Sequence, residues 1–418
     1  MSLEYRIGDV FDRLAEIPAG SIDLIVTSPP FLALRSYLPD DHPDKHKEIG
    51  SEATPADFID TLLELSSEWG RVLAPHGSMC VELGDTFSGA SQGGGDLIPG
   101  SGSIQSPAKL SAVNGHTNTT KRKGNGWPLA KSLTGIPTLY PWSLAYGRNL
   151  LTGQESPAGQ WRIRNVIVWA RPNPPVGALG DKFRPATSYI TVACKSAKRY
   201  FDLDAVRMPH RPNGGAGGGG TSSLDGGVRM GSRFSERIEN PAGAPPLDWH
   251  ADNHPEDGDW LWKLSTQPYK GSHYATFPMA LPKRLIEAMC PLRVCETCGA
   301  PSTRIVGEST YIDKNGKPVT PHVWASGMAD GRGAHAGKTD GATTRQATTL
   351  GWTDCGHDAW RPGVVLDPFG GSGTTAEAAQ AVGRSAILID LDARNADLAR
   401  ERVGMFLDVT DTPEQTLT

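Results

Sequence analysis

Three groups of residues in this 418-residue chain have side chains and spacings suited to chemistry. Near the C-terminal end, Asp367-Pro368-Phe369-Gly370-Gly371-Ser372-Gly373-Thr374-Thr375 follows the apolar run Val364-Val365-Leu366. An acid at a strand end, then a glycine turn, then a helix start, suits a ligand with hydroxyls and an anionic group. Glycines let it approach the backbone, and the free N–H groups of the helix favour a carboxylate or phosphate. Asp390, 23 residues after Asp367, closes a second apolar run, Ser385-Ala386-Ile387-Leu388-Ile389. A carboxylate there can take both ribose hydroxyls of a nucleoside. Asp392 is the alternative, and Asp390 is preferred because it ends the apolar run. At the other end of the chain, Ser21-Ile22-Asp23-Leu24-Ile25-Val26 runs into Thr27-Ser28-Pro29-Pro30-Phe31. Paired prolines stop a sheet, fix φ and remove donors, so a hydroxyl and carbonyl groups are held rigidly beside an aromatic ring. The third group is Cys295-Glu296-Thr297-Cys298 with Cys355-Gly356-His357. Three thiolates and an imidazole suit tetrahedral Zn²⁺ with a structural role.

Each group also has a plainer reading. Glycine turns connect strands to helices, Ser-Pro-Pro-Phe makes a rigid strand exit, a strand-end aspartate caps the next helix, and thiols can stay unpaired. Cys80 and Cys194 sit in apolar strand-like runs and read as ordinary buried residues.

The elements that must position these groups alternate in type. Apolar runs predict strands at 6–10, 21–26, 77–85, 161–169, 189–194, 364–367 and 385–390, with 200–202 extending the 161–194 pair. Helical spacing appears at 11–16, at 55–73 (Phe58, Leu62, Leu65, Trp69, Val72), at 281–286 and from 376. This predicts an α/β fold, a Rossmann-like doubly wound and mostly parallel sheet with long loop insertions, whose ligands collect at the carboxyl ends of the strands.

Composition sets the bounds. With 49 glycines and 33 prolines, the chain predicts one large domain with long loops. It has no long apolar span and no signal-peptide pattern at its start, so a soluble, cytoplasmic protein without a membrane partner is expected. Six cysteines do not form a secreted framework, and in a reducing compartment a disulfide explains the Cys pair less well than zinc. The net charge of −5 argues against a nucleic-acid partner, but its distribution argues for one. Residues 121–211 hold 15 Lys or Arg against four acids, a local +11 that leaves −16 elsewhere. Such asymmetry is the footprint of a phosphate-backbone contact surface, or of a merely solvated basic face.

The pair of motifs, Thr27-Ser28-Pro29-Pro30-Phe31 early and Asp367 to Thr375 late, resembles the DNA methyltransferases that methylate exocyclic amino groups using S-adenosylmethionine. The order, catalytic motif before cofactor motif, is similar to the β group of that family, and the resemblance covers most of the chain outside its glycine-rich loops. It implies duplex DNA as partner and a base flipped out of the helix to meet the methyl group. The Ser28 hydroxyl and Pro29 carbonyl would accept hydrogen bonds from the amino group, with Pro30 stiffening the turn and Phe31 stacking on the base. Asp9 matches the family position on the adenine side of the cofactor, and Asp367 through Thr375 with Asp390 the rest of its site. Phe277 and Pro278, in His273-Tyr274-Ala275-Thr276-Phe277-Pro278, would line its methionine end. The loop from Arg171 to Pro175 would face the target base. Ser before Pro-Pro is more usual in cytosine-N4 enzymes and Asp in adenine-N6 enzymes, so cytosine N4 is expected. RNA and protein-glutamine methyltransferases usually carry Asn there, and an inert DNA-binding relative would lose the cofactor motif.

The resemblance also organises the chain. Residues 1–85 form the catalytic-motif half, 86–126 a flexible loop, and 127–207 a continuation with a basic DNA-facing surface. Residues 208–260 form a Gly-rich insertion within target recognition, 261–292 a cofactor-flanking segment, 293–360 the Cys/His insertion, and 361–410 the cofactor half. Family members include partners of restriction endonucleases and stand-alone enzymes.

Overall fold

The computed structural model describes residues 1–34, 36–89, 124–172, 182–206, 262, 264–265, 277–312, 318–319 and 344–411. Most of the predicted loop at 86–126, the insertion at 208–260, and residues 173–175, 273–276 and 327–341 lie outside them.

In chain order the first strands and helices are β1 (Leu3–Ile7), α1 (Val10–Ala15), β2 (Ile22–Thr27), α2 (Pro55–Val72) and β3 (Leu73–Leu83). Next come α3 (Ile136–Tyr146), β4 (Arg162–Ala170), β5 (Thr187–Cys194), α4 (Ala280–Met289) and β6 (Arg293–Cys295). Then follow β7 (Arg304–Ile312), β8 (Pro318–Val319), β9 (Thr344–Trp352), β10 (Trp360–Pro362) and β11 (Val364–Asp367). The last are α5 (Thr374–Ala381), β12 (Ser385–Asp390), α6 (Arg394–Val403) and β13 (Leu407–Thr410). The described residues divide into two compact units. The first takes Met1–Asp202, Leu247–Ser302 and Asp354–Thr418; the second takes Leu203–Pro246 and Thr303–Thr353. Within the second, β8, β7 and β9 form an antiparallel sheet.

The first unit is built on an eight-stranded sheet in the order β13-β1-β12-β11-β2-β3-β5-β4. From β13 to β3 all neighbours are parallel, and β5 then runs antiparallel to both β3 and β4. This is the Rossmann-like, doubly wound, mostly parallel sheet that the alternating pattern predicts. All six residues of β2 are buried, as a central strand covered on both faces requires. Helix α2 starts at a Thr54 cap whose hydroxyl accepts the Asp57 N–H, with Pro55 in its first turn. It then lays Phe58, Ile59, Leu62, Leu65, Trp69 and Val72 into the main core. Burying a side chain of the size of Leu62 stabilises by about 1.5–3 kcal/mol.

Three local expectations need correction. The first strand ends at Ile7, not Val10, because Gly8 leaves the ladder at a φ of 144° and Asp9 caps α1. Residues 200–202 do not extend the β4–β5 pair. The Tyr200 N–H goes to the His76 carbonyl at 2.9 Å and the Asp202 N–H to the Ala288 carbonyl at 2.7 Å, which carries the chain off the sheet. The glycine-loop helix begins at Thr374, two residues before Ala376. Among the described residues no helix is long and apolar enough to cross a membrane.

A buried acid joins early and late parts of the chain inside the sheet. Asp23 of β2, fully buried, accepts from Arg361 of β10 at 2.6 Å, from the Val364 N–H at 2.7 Å, and pairs with His76 at 2.9 Å. Burial alone would raise its carboxyl, but the bonds from His76, Arg361 and Val364 carry it below the ordinary value. Replacing Asp23 by Ala strands these donors, so urea denaturation of Asp23→Ala should show a loss of about 3 kcal/mol. A loss under about 1 kcal/mol would refute this anchoring role.

Candidate active site

Five parallel strands, in the order β1-β12-β11-β2-β3, bring their carboxyl ends to one edge of the sheet. Along that edge lie Asp9 after β1, Asp390 at the end of β12, Asp367 at the end of β11, Ser28 after β2, and Glu82 with Gly84 at the end of β3. Parallel neighbours are about 4.8 Å apart, so Asp390 and Ser28, two strand spacings from each other, stand on the order of 10 Å apart. A nucleoside cofactor and a second substrate placed side by side need a span of this size.

The two sequence motifs meet through one carboxylate. Buried Asp367 accepts the Thr27 hydroxyl at 2.7 Å, the Thr375 hydroxyl at 2.6 Å and the Phe369 N–H at 3.1 Å. Thr27 belongs to the first motif, and Phe369 and Thr375 to the second. Burial raises the Asp367 carboxyl to about 6, against the pull of these donors.

Asp390 fastens the glycine loop. Its carboxylate accepts the Gly371 N–H at 2.8 Å, the Asp392 N–H at 2.8 Å and the Asn395 side-chain amide at 3.1 Å. Buried Tyr5 donates its hydroxyl to the Gly371 carbonyl at 2.9 Å, holding the same residue from β1. Burial also raises Asp390 to about 6. Asp392 instead pairs with Arg394 at 2.7 Å, which separates the two acids that the sequence leaves as alternatives. Gly370, Gly371, Ser372, Gly373 and Thr374 are all buried, as is Pro368, while Phe369 is half-buried. Asp9 caps α1, its Oδ1 accepting the Phe11 N–H at 2.9 Å and the Asp12 N–H at 3.2 Å. Half-buried Phe277 and buried Pro278 lie just before α4, with the Leu281 N–H closing on the Pro278 carbonyl at 2.9 Å. Helix α4 packs against α5, the helix that the glycine loop opens.

The Ser-Pro-Pro-Phe turn holds a group that the sequence hides. Half-buried Ser28 donates its hydroxyl to Glu82 at 2.6 Å. Glu82 is 4% exposed, and burial pushes its carboxyl up, opposed by the Ser188 and Ser28 hydroxyls and the Arg171 guanidinium. Arg171 is itself pushed down by burial, with the Glu82 charge opposing, and donates to the Thr187 carbonyl at 3.1 Å. Pro29 is buried, and Pro30 and Phe31 are half-buried. Gly84 makes room for the Phe31 ring: a Cβ on it would come within 2.5 Å of the ring edge. The signal for Glu82 was an acid inside an apolar strand, Met79-Cys80-Val81-Glu82-Leu83, where burial without a role is expensive.

The four predicted metal ligands also converge. One ligand atom from each of Cys295, Cys298, Cys355 and His357 lies within 4.8 Å of all the others. On the basic stretch, Arg162 and Arg164 of the sheet-edge strand β4 are exposed, as are Lys182, Arg184 and Lys198.

A Rossmann-like sheet with an acid and a glycine loop at one central strand end, and a rigid Ser-Pro-Pro-Phe turn at the next, defines an enzyme of the methyltransferase fold class. The DNA methylase family profile matches residues 22–292 and 361–401, spanning both motifs. The chain belongs to the DNA methylase family. It is 28% identical to the Type II methyltransferase M.Cfr9I of Citrobacter freundii, over 66% of this chain and 68% of that protein. It is 22% identical to the Type II methyltransferase M.SmaI of Serratia marcescens, over 96% of this chain and 91% of that protein. The solved structure of PvuII DNA methyltransferase, described as cytosine-N4-specific, is similar at 13% identity over 98% of this chain and 95% of that chain, with a TM-score of 0.44.

The raised strand-end acids make stability depend on pH in a defined direction. Asp367 binds its proton in the folded state near pH 6 and in the unfolded state near the ordinary 3.8. Its protonation therefore favours folding most below pH 3.8, and that advantage is lost as pH rises through 6. The stability of the wild type minus that of Asp367→Asn should rise as pH falls from 7 to 4, by up to about 3 kcal/mol. Parallel denaturation curves across that range check it, and a flat or opposite trend would contradict the assignment.

Proposed function

We propose that this chain transfers a methyl group from S-adenosylmethionine to the exocyclic N4 of cytosine in duplex DNA, the base being flipped into the edge between β11 and β3. The observation that carries the reading is the hydrogen bond from Ser28 to Glu82. With its proton committed to Glu82, the Ser28 oxygen faces a substrate only as an acceptor. An exocyclic amino group is a donor, and its lone pair is delocalised into the ring. Bonds from that amino group to Ser28 Oγ and the Pro29 carbonyl favour a tetrahedral nitrogen and free the lone pair for attack. The freed lone pair would take the activated methyl group that the bound cofactor supplies, which leaves the nitrogen positive. Its proton then passes to Ser28 Oγ while the serine proton passes to Glu82, whose raised affinity for protons makes it the better acceptor. Phe31 stacks on the base.

The donor set fits the cofactor. Asp390 has lone pairs beyond its present bonds and takes the ribose hydroxyls, and the buried small residues Gly370 to Gly373 leave room for close approach to the backbone. Phe277 and Pro278 would line the methionine end, and Asp9 would lie on the adenine side. When bound, S-adenosylmethionine supplies an activated methyl group on sulfur. The choice of cytosine rests on Ser28, which stands where adenine-N6 enzymes usually carry Asp. Arg162, Arg164, Lys182 and Arg184 are exposed and would contact DNA phosphates. The relatives named as Type II methyltransferases support DNA as the substrate.

Incubation with tritiated cofactor and plasmid, followed by nucleoside mass spectrometry, should yield N4-methylcytosine. N6-methyladenine alone would overturn the choice of base, and transfer only to RNA or protein would overturn the substrate class. Ser28→Ala and Glu82→Gln should each lower kcat by about 10²-fold or more with cofactor Kd nearly unchanged. Asp390→Ala should do the reverse, raising cofactor Kd at least about 10-fold.

A further inference from the structure

We propose that Cys295, Cys298, Cys355 and His357 bind one Zn²⁺ in a closed, structural site. The family match stops at residue 292 and resumes at 361, so all four ligands lie in the part of the chain that it passes over. Three of their six ligand-atom separations match those of a tetrahedral site, and the rest are within 4.8 Å. Zinc bonds of about 2.3 Å to sulfur and about 2.0 Å to nitrogen place neighbouring ligand atoms about 3.8 Å apart for two sulfurs and about 3.6 Å for sulfur and nitrogen. The Cys298 and Cys355 sulfurs are 3.6 Å apart, and His357 Nδ1 is 3.5 Å from the Cys295 sulfur and 3.4 Å from that of Cys355.

The backbone is shaped for the same purpose. Cys295 ends β6, where it pairs with Trp360 of β10. The chain then folds into a tight knuckle: the Cys298 N–H points at the Cys295 sulfur at 3.4 Å, and the Gly299 N–H bonds the Cys295 carbonyl at 2.9 Å with Gly299 at a φ of +69°. An N–H aimed at sulfur stabilises a thiolate, the form that binds metal. The second ligand pair turns at Gly356, whose N–H is held by Asp354 at 2.7 Å. A backbone bond from Glu296 to Ala359, at 3.0 Å, ties one pair to the other. Three thiolates select zinc over oxygen-seeking Mg²⁺ or Ca²⁺. All four positions come from protein, which leaves no place for water or substrate and makes the ion structural. All four ligands belong to the first unit.

The test uses the full chain, expressed with zinc and purified under reducing conditions. Elemental analysis should find about one zinc per chain, and Co²⁺ exchange should give thiolate charge-transfer bands with the intense d–d bands of tetrahedral coordination. Cys298→Ser with Cys355→Ser should lower bound zinc at least about tenfold, whereas His357→Cys should retain it in a four-thiolate site. If the double variant does not fold, titrating wild-type thiols with a mercurial should release zinc in step with modification. Wild-type protein with under about a tenth of a zinc per chain, octahedral Co²⁺ spectra, or zinc unaffected by loss of both cysteines would overturn the proposal. Zinc content is read without DNA: wild-type protein that methylates DNA but is isolated with under about a tenth of a zinc per chain would defeat this inference alone, and zinc-loaded protein that methylates nothing would defeat the proposed function alone.

Discussion

The structure depends most on the Asp367 carboxylate. It is buried, and a buried charge is tolerated only where its oxygens are saturated by donors. Thr27 and Thr375 supply hydroxyls, and Phe369 supplies an N–H. Thr27 lies 340 residues from Asp367 in sequence. The requirement to satisfy one acid therefore fixes the early and late motifs against each other. Neither motif can move off the strand ends without exposing an unpaired oxygen or hydroxyl to a dry interior. Asp23 repeats the device lower in the same strand pair, where β2 receives Arg361 and the Val364 N–H. Two buried acids thus clamp β2 to the segment containing β10 and β11.

The same edge carries electrostatic tension. Asp367 and Asp390 are both raised to about 6, and Glu82 is raised as well, each chiefly by burial. A fold selected for stability alone has little reason to align desolvated carboxylates at adjacent strand ends. Their partners differ: Asp367 accepts from two threonines, Asp390 holds the glycine loop, and Glu82 accepts a hydrogen bond from Ser28. Perturbed acids grouped at strand ends are a feature that catalytic sites share.

Much of this was legible in the sequence because two signals agreed there. β11 and β12 are β-branched or aliphatic runs closed by an acid, and the observed strands, Val364–Asp367 and Ser385–Asp390, have the predicted limits. The α2 stripe and the β4–β5 pairing were legible from periodicity. The misses have identifiable causes. Glu82 and Asp23 sit inside apolar runs, where pattern reading counts them as interruptions and cannot see the partners that make burial tolerable. Helix α3 was passed over because Pro137 and Pro141 argue against a helix and its apolar residues surround it. Its limits are set by Gly135 and Gly147, both left-handed. Tyr200 and Phe201 look like strand residues, but backbone bonds to His76 and Ala288 decide their path.

The topology explains why the middle of the chain varies so freely in character. β2 and β11 are neighbours at the centre of the sheet, so everything from residue 28 to residue 363 is an excursion that leaves and returns to adjacent strands. The entropy of closing a loop grows only logarithmically with its length, so lengthening the excursion costs little once its ends are pinned. Asp367 and Asp23 pin them. The excursion contributes β3 with Glu82, the β4–β5 pair with its exposed arginines, and the Cys/His cluster. Glycine-rich stretches and a second folding unit can be added there without disturbing the carboxylate that joins the motifs. The central pair of strands holds the two motifs together, and the excursion is the part of the chain free to change in length and character.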